Sequence, residues 1–243
     1  LAYQDVGSGV TYFRPDGSIS TNTGTDTYSN ATIAYAKYTV SRLKRSVQTG
    51  SITNAYNEYR QAQASNIQRI DPLILDLDGD GIETTHINNS NAFFDLDLNG
   101  FAENTSWAKG DDGFLVLDRN QDGIINNATE LFGDRTLLND GVTYASSGVQ
   151  ALAEYDDNQD GLIDAGDSIY SLLRVWQDAD GNGVSAASEL KSLLDLGIVS
   201  IALSYLNTGI TDAADNIQVR VGEFTRTDGT TSAIGEYLFN MDT

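Results

Sequence analysis

Asp71 and Pro72 form the chain's one Asp-Pro bond, just upstream of five acidic loops punctuated by glycine, the first of them in the stretch IDPLILDLDGDGIE. Such a bond is chemically fragile. The β-carboxylate of an Asp can attack its own main-chain carbonyl carbon and close a five-membered cyclic anhydride, expelling a secondary amine that is readily protonated. A useful rate requires a near-attack geometry, a proton for the Pro72 nitrogen and stabilisation of the oxyanion. The anhydride left on Asp71 would acylate water, giving a free carboxyl end, or a lysine amine, giving an Asp-Lys isopeptide link. On its own an Asp-Pro dipeptide does none of this on a useful timescale, and reads as a turn or a strand start. His86, the tyrosines, Asp111 and Asp112 stand as alternative proton donors, and Lys37, Lys44, Lys109 and Lys191 as alternative acceptors. No sequence feature selects among them.

The loops read as sites for a hard cation, which takes roughly six to eight oxygen ligands, with carboxylates at alternate positions and a glycine at the sixth for the sharp turn. Two fit the twelve-residue spacing throughout. In DADGNGVSAASE, Asp178, Asp180 and Asn182 take the first, third and fifth places, Gly183 the sixth, the Val184 carbonyl the seventh and Glu189 the twelfth. In DDNQDGLIDAGD these places fall to Asp156, Asn158, Asp160, Gly161, the Leu162 carbonyl and Asp167, whose shorter side chain implies a tighter or water-assisted closure. A third loop, DRNQDGIINNATE, opens with Asp118, Asn120, Asp122, Gly123 and the Ile124 carbonyl, but its first acidic closing residue, Glu130, comes one place late. Asp76, Asp78, Asp80 and Gly81 open a fourth, where Ile87 at the twelfth place supplies no side-chain ligand. Oxygens must then be borrowed, either from the fifth loop (Asp95, Asp97 and Asn99 before Gly100) or from Asp111-Asp112. For any single string the alternative is a polar turn, because Asp, Asn and Gly are turn residues in their own right.

Charge follows the loops. Residues 1–71 carry 5 acidic and 7 basic side chains, whereas residues 72–243 carry 30 and 7. Such a segment repels itself, and several calcium ions would relieve the repulsion and tie distant loops together, folding the domain or tightening it. So acidic a surface argues against nucleic acid and anionic membranes as partners. The absence of cysteine removes thiol catalysis, zinc-thiolate sites and disulfides. No apolar run approaches the roughly 20 residues of a membrane span, and the start LAYQDVGSG lacks a signal pattern. The chain reads as an excised piece of something longer, and nothing in it sets an oligomeric state.

The elements expected to hold these groups define an α+β fold, with small strands and short helices organised around EF-hand-like loops and preceded by a helical N-terminal segment. Residues 1–70 form a flanking segment: loop or hairpin to about residue 27, then amphipathic helices over 30–48 and 53–70 that pack on their neighbours. Residues 71–243 form the calcium-binding module. Strands are expected at 73–75, 114–117, 199–203 and 217–224, the last pairing with 233–239, and helices at 148–155, 168–177 and 187–196 beside the two complete loops. Trp107, Trp176 and Phe132 are expected in the core.

DPLILDLDGDGIE, WAKGDDGFLVLDRNQDGIINNATELFGD, LRVWQDADGNGVSAASEL and TRTDGTTSAIGEYL, in this order over about residues 70–240, resemble the self-processing module of FrpC-like, iron-regulated RTX proteins. The resemblance implies a protein secreted by a Gram-negative bacterium, in which calcium triggers cleavage of the Asp-Pro bond. Asp71 would be the self-attacking residue, Pro72 the leaving group and a lysine-bearing protein the covalent acceptor. Two other readings stand beside it. One is a calcium-stabilised structural or adhesive module in which the bond is inert. The other is a calcium sensor that exposes an apolar groove, against which the single Met241 weighs.

Overall fold

The computed structural model describes residues 69–242, together with the backbone of three strands near the N-terminus. The chain divides into two units, Leu1–Asn66 and Ile67–Thr243. In the first, β1 (Tyr3–Val6), β2 (Gly9–Phe13) and β3 (Ile19–Asn22) form an antiparallel meander. The helical patterns at 30–48 and 53–70 lie outside the described residues, except that Arg69–Ile70 form strand β4.

The second unit is built on strands. After β4 come β5 (Leu73–Leu75), β6 (Thr84–Thr85), β7 (Phe93–Phe94), β8 (Glu103–Asn104), β9 (Trp107–Ala108) and β10 (Gly113–Val116). A six-residue helix, α1 (Gly148–Ala153), precedes β11 (Leu162–Asp164), β12 (Arg174–Trp176) and β13 (Leu190–Ser192). The chain ends with β14 (Ile198–Ala202), β15 (Leu206–Thr211), β16 (Ile217–Arg226) and β17 (Thr231–Asn240). Ten of these strands make one antiparallel sheet in the order β11-β14-β16-β17-β5-β10-β12-β13, with β15 on β16 and β4 on β17.

This corrects the α+β expectation: the regular structure of the described residues is predominantly strand, and α1 is their one α-helix. The helix expected over 168–177 is a turn followed by β12, and the one expected over 187–196 contains β13. Residue pairing explains both. The chain on either side of the loop at 178 runs antiparallel, with Trp176 opposite Leu190 and the Gln177 N–H donating to the Glu189 carbonyl at 3.0 Å. The loop at 118 returns in the same way, its preceding Leu117 N–H donating to the Glu130 carbonyl at 2.8 Å. These acidic loop sequences are set in β-hairpins, not between EF-hand helices. Cross-strand pairing of Val175 and Trp176 with β10 outweighs the local helical periodicity.

The central strands are buried on both faces. Leu73, Leu75, Leu115 and Val175 point into one apolar cluster, while Ile74, Phe114, Val116 and Trp176 point into the other. The second cluster is aromatic, with the Trp107 ring centroid 4.6 Å from that of Phe114 in a tilted pair and 5.4 Å from that of Trp176 edge to face. Phe132 lies in the first cluster, so all three large aromatics expected in the core are there.

Candidate functional site

Asp71 and Pro72 fill a break between two strands that share one partner. Ile70 of β4 lies opposite Phe239 of β17 and Leu73 of β5 lies opposite Glu236 of the same strand. Proline has no N–H to give the ladder, so the sequence itself interrupts pairing here, and the Tyr237 N–H reaches the Pro72 carbonyl at 3.3 Å. The bond is thus gripped on both sides by β17 while its own atoms are released from regular pairing. Asp71 is buried, at 5% exposure.

The 133–134 segment and β17 converge on it, and α1 and β16 join through Glu236. The Asp134 N–H donates to Asp71 Oδ1 at 2.6 Å. Gly133 lies so close that a Cβ there would stand 3.0 Å from the Asp71 carbonyl oxygen and 3.3 Å from its carbonyl carbon. Glu236, fully buried, accepts the Gly148 N–H at 2.6 Å on Oε1 and the Arg220 Nη1 at 2.6 Å on Oε2. Burial pushes the Asp71 carboxyl up to about 9, assisted by its hydrogen bond with Glu236 and by the negative charges of Glu236 and Asp134, with the Asp134 N–H acting the other way. The Asp134 carboxyl is raised too, chiefly by burial, with Arg135 opposing. At neutral pH Asp71 is therefore protonated in this state, and a protonated carboxyl is a poor nucleophile.

The loops share a backbone design. The first-position Asp accepts the sixth-position Gly N–H at 3.1 Å in the loop at 95, 2.9 Å at 118, 3.0 Å at 156 and 2.7 Å at 178. The fourth position is left-handed in all five, held by Gly79, Leu98, Gln121, Gln159 and Gly181. Closing residues repeat as well, each accepting the second- and ninth-position N–H groups. Glu189 takes Ala179 at 3.3 Å and Ala186 at 2.9 Å, and Asp167 takes Asp157 at 2.8 Å and Asp164 at 2.9 Å. Glu130, despite its late position, takes Arg119 at 3.1 Å and Asn126 at 2.8 Å, so it closes its loop as Glu189 does.

For the loop at 76 the structure brings in Asp112, which accepts Leu77 N–H at 3.2 Å and Glu83 N–H at 2.8 Å. Asp112 stands in for the missing twelfth residue from a separate segment. Its carboxyl is raised to about 7, first by burial. The sequence named Asp111-Asp112 only as one alternative, because a ligand borrowed across chain separation leaves no spacing signal. Asp95, Asp97 and Asn99, the other candidate lenders, keep to their own loop, where Glu103 joins Asp95 and Asp97. Further acid groupings are Asp76-Asp78-Asp80, Glu83-Asp111-Asp112 and Asp178-Asp180-Glu189. These all-oxygen donor sets, with glycine turns at the sixth place, suit a hard divalent cation.

The loops are wired to the bond. Strand β5 alone separates Pro72 from Asp76. Four residues after Glu130 comes Asp134, with Phe132 accepting the Leu73 N–H at 3.1 Å on the way. Helix α1, whose Gly148 contacts Glu236, leads into the loop at 156. The loop at 178 is anchored in the aromatic core, with Trp107 Nε1 donating to Asp178 Oδ2 at 2.8 Å, and it meets the loop at 118 where Ile125 N–H donates to Ser185 Oγ at 2.6 Å. Of the sequence's other proton-donor candidates, His86 caps a 3-10 turn by accepting the Asn88 N–H at 3.0 Å on Nδ1. Lys109 pairs with Glu83 at 3.1 Å. Sequence reading assigned no role to Glu236, Gly133, Asp134 or Arg220. Only the motif IGEYL carried Glu236, and nothing in it marks a carboxylate buried beside another.

Residues 73–240 match the SPM domain family, and Asp71-Pro72 immediately precedes the matched segment. The chain is also 46% identical over 173 residues to the iron-regulated protein FrpA of Neisseria meningitidis serogroup C, an alignment covering 71% of this chain and 15% of that protein. The chain therefore spans only a small part of its relative's length.

Proposed function

Since the chain belongs to the SPM domain family, we propose that it is a self-processing module that breaks its own Asp71-Pro72 bond in response to calcium and can pass the new aspartyl end to a lysine of another protein. One observation carries this reading: the Asp71 carboxyl is buried in a strand break gripped by β17, among groups from the segments that hold the cation loops. Asp71 supplies the nucleophile, its own carboxylate oxygen, and Pro72 the leaving nitrogen. Gly133, whose bare α-carbon lies against the scissile carbonyl, admits the crowding of the five-membered transition state.

Calcium bound to the loops would supply charge neutralisation and draw their oxygens inward. The residues that would hold it are Asp76, Asp78, Asp80 and Asp112; Asp95, Asp97, Asn99 and Glu103; Asp118, Asn120, Asp122, Ile124 and Glu130; Asp156, Asn158, Asp160, Leu162 and Asp167; and Asp178, Asp180, Asn182, Val184 and Glu189. β5, the 130–134 segment and α1 then carry any shift to Asp71. Extracellular modules of this kind bind calcium with dissociation constants of roughly 10⁻⁴–10⁻³ M, which suits a protein secreted by a Gram-negative bacterium that stays intact until export. Among the described residues no helix is long and apolar enough to cross a membrane.

The structural reading, with an inert bond, draws support from the way the loops at 118 and 178 tie strands together. The sensor reading loses ground because Met241 is buried and lines no exposed groove. Time-resolved intact-mass measurement in chelator and in millimolar calcium separates cleavage from structure. Fragments ending at Asp71 and beginning at Pro72 support self-processing, while a constant mass with calcium-dependent folding supports the structural module.

A further inference from the structure

We propose that Glu236 carries the proton of the cleavage step, taking it from the Asp71 carboxyl and delivering it to the Pro72 nitrogen; this deepens the self-processing reading and rests on it. The placement is direct. Glu236 stands opposite Leu73 in the ladder, one residue past the scissile nitrogen, and is fully buried. Its neighbour Tyr237 holds the Pro72 carbonyl through a main-chain N–H. Two donors fix the carboxylate, Gly148 N–H on Oε1 and Arg220 Nη1 on Oε2, each at 2.6 Å. Each carboxylate oxygen has two lone-pair sites, so both retain capacity for a further proton.

Asp71 holds a proton that has to leave before its oxygen can attack, and Glu236, the buried carboxylate of the adjoining strand that helps hold it there, is the acceptor within the same pocket. The step balances without an outside reagent. Asp71 O–H gives its proton to Glu236, the freed carboxylate oxygen bonds to the Asp71 carbonyl carbon, and the carbon–nitrogen bond to Pro72 breaks. The nitrogen takes its proton from Glu236, which returns to carboxylate, leaving a cyclic anhydride on Asp71 and a secondary amine on Pro72. The charged and titratable groups around the pair are Arg220 from β16, Asp134 and Arg135 from the segment after Glu130, and Tyr205, whose ring lies 5.4 Å from the Arg220 guanidinium carbon. A purely structural ion pair would not require Glu236 to be buried opposite Leu73, directly beside the strand break that holds Asp71 and Pro72.

The test uses the full chain in saturating calcium, following single-turnover cleavage by intact mass from about pH 5 to 9. The wild-type rate is expected to pass through a maximum, since the Asp71–Glu236 pair must hold one proton in common. Glu236→Gln, which keeps the shape and the hydrogen bonds to Gly148, is expected to slow cleavage about 100-fold or more and to lose the descending limb. Glu236→Asp, which keeps the acid, is expected to recover part of the rate together with the bell-shaped profile. Calcium-induced changes in circular dichroism are expected to be the same in all three. Cleavage of Glu236→Gln at the wild-type rate with an unaltered profile would overturn the inference, as would equal inactivity of both variants. A wild-type chain that stays intact in calcium would instead remove the reading beneath it.

Discussion

Asp71 is held in its protonated form by burial and by two neighbouring carboxyls, and the consequence runs through stability as well as reactivity. Its carboxyl is raised from 3.8 to about 9, so the folded metal-free state binds this proton more tightly than the unfolded chain does. The stabilisation is fully present below about pH 4 and is lost as pH rises through about 9. In chelator, this group's contribution therefore makes stability fall with increasing pH across that window. Chemical denaturation of Asp71→Asn is expected to show a flatter dependence than the wild type, and an unchanged slope would contradict the assignment. Gly133 gives a second prediction at this scale. A methyl group there meets the Asp71 backbone at 3.0 Å, and backbone cannot move aside as a flexible side chain can. Gly133→Ala should cost about 1–3 kcal/mol of stability, measured by denaturant titration, and should slow any cleavage at Asp71.

The loops and the strands they join set the next scale. Their first, third, fifth and sixth positions were legible because the ligand types repeat at fixed spacing. Glu130, one place late, proved to accept the same pair of backbone N–H groups as Glu189 and Asp167. Asp112 had no comparable signal, since it reaches the loop at 76 through the fold. Strands such as Leu73–Leu75 and Ile217–Arg226 were readable from apolar and β-branched runs. Around Leu173–Trp176 and Leu190–Leu193 the apolar spacing looked helical, but a hairpin across the loop at 178 determines the outcome. Loop geometry also leaves strain at Leu98, Gln121 and Gln159, whose φ values are 64°, 60° and 59°. Replacing Gln121 or Gln159 by Gly should raise the melting temperature of the metal-free chain, a gain of about 1 kcal/mol before the greater unfolded-state entropy of Gly offsets part of it. Asp112→Asn should raise the calcium concentration needed for half-maximal folding, read by titration with circular dichroism. Retention of the wild-type midpoint would show that the loop at 76 closes without Asp112.

At the scale of the whole molecule, the acid excess beyond Asp71 and the single large sheet act together. Thirty acidic side chains against seven basic ones beyond Asp71 oppose compaction, while the sheet connects the loops to one peptide bond through β5, the 130–134 segment and α1. In chelator, raising salt from about 0.05 to 0.5 M should stabilise the chain by screening this repulsion, and the benefit should shrink once calcium is bound. On the proposed function, Asp71-Pro72 is the point where cation binding becomes chemistry. The most direct measurement is time-resolved intact-mass spectrometry of wild type and Asp71→Ala, each moved from chelator into millimolar calcium. The account predicts wild-type fragments separated between Asp71 and Pro72, some carrying lysine-linked adducts through Asp71, and an intact variant that still folds with calcium. An intact wild type, or equal cleavage of the variant, would contradict it.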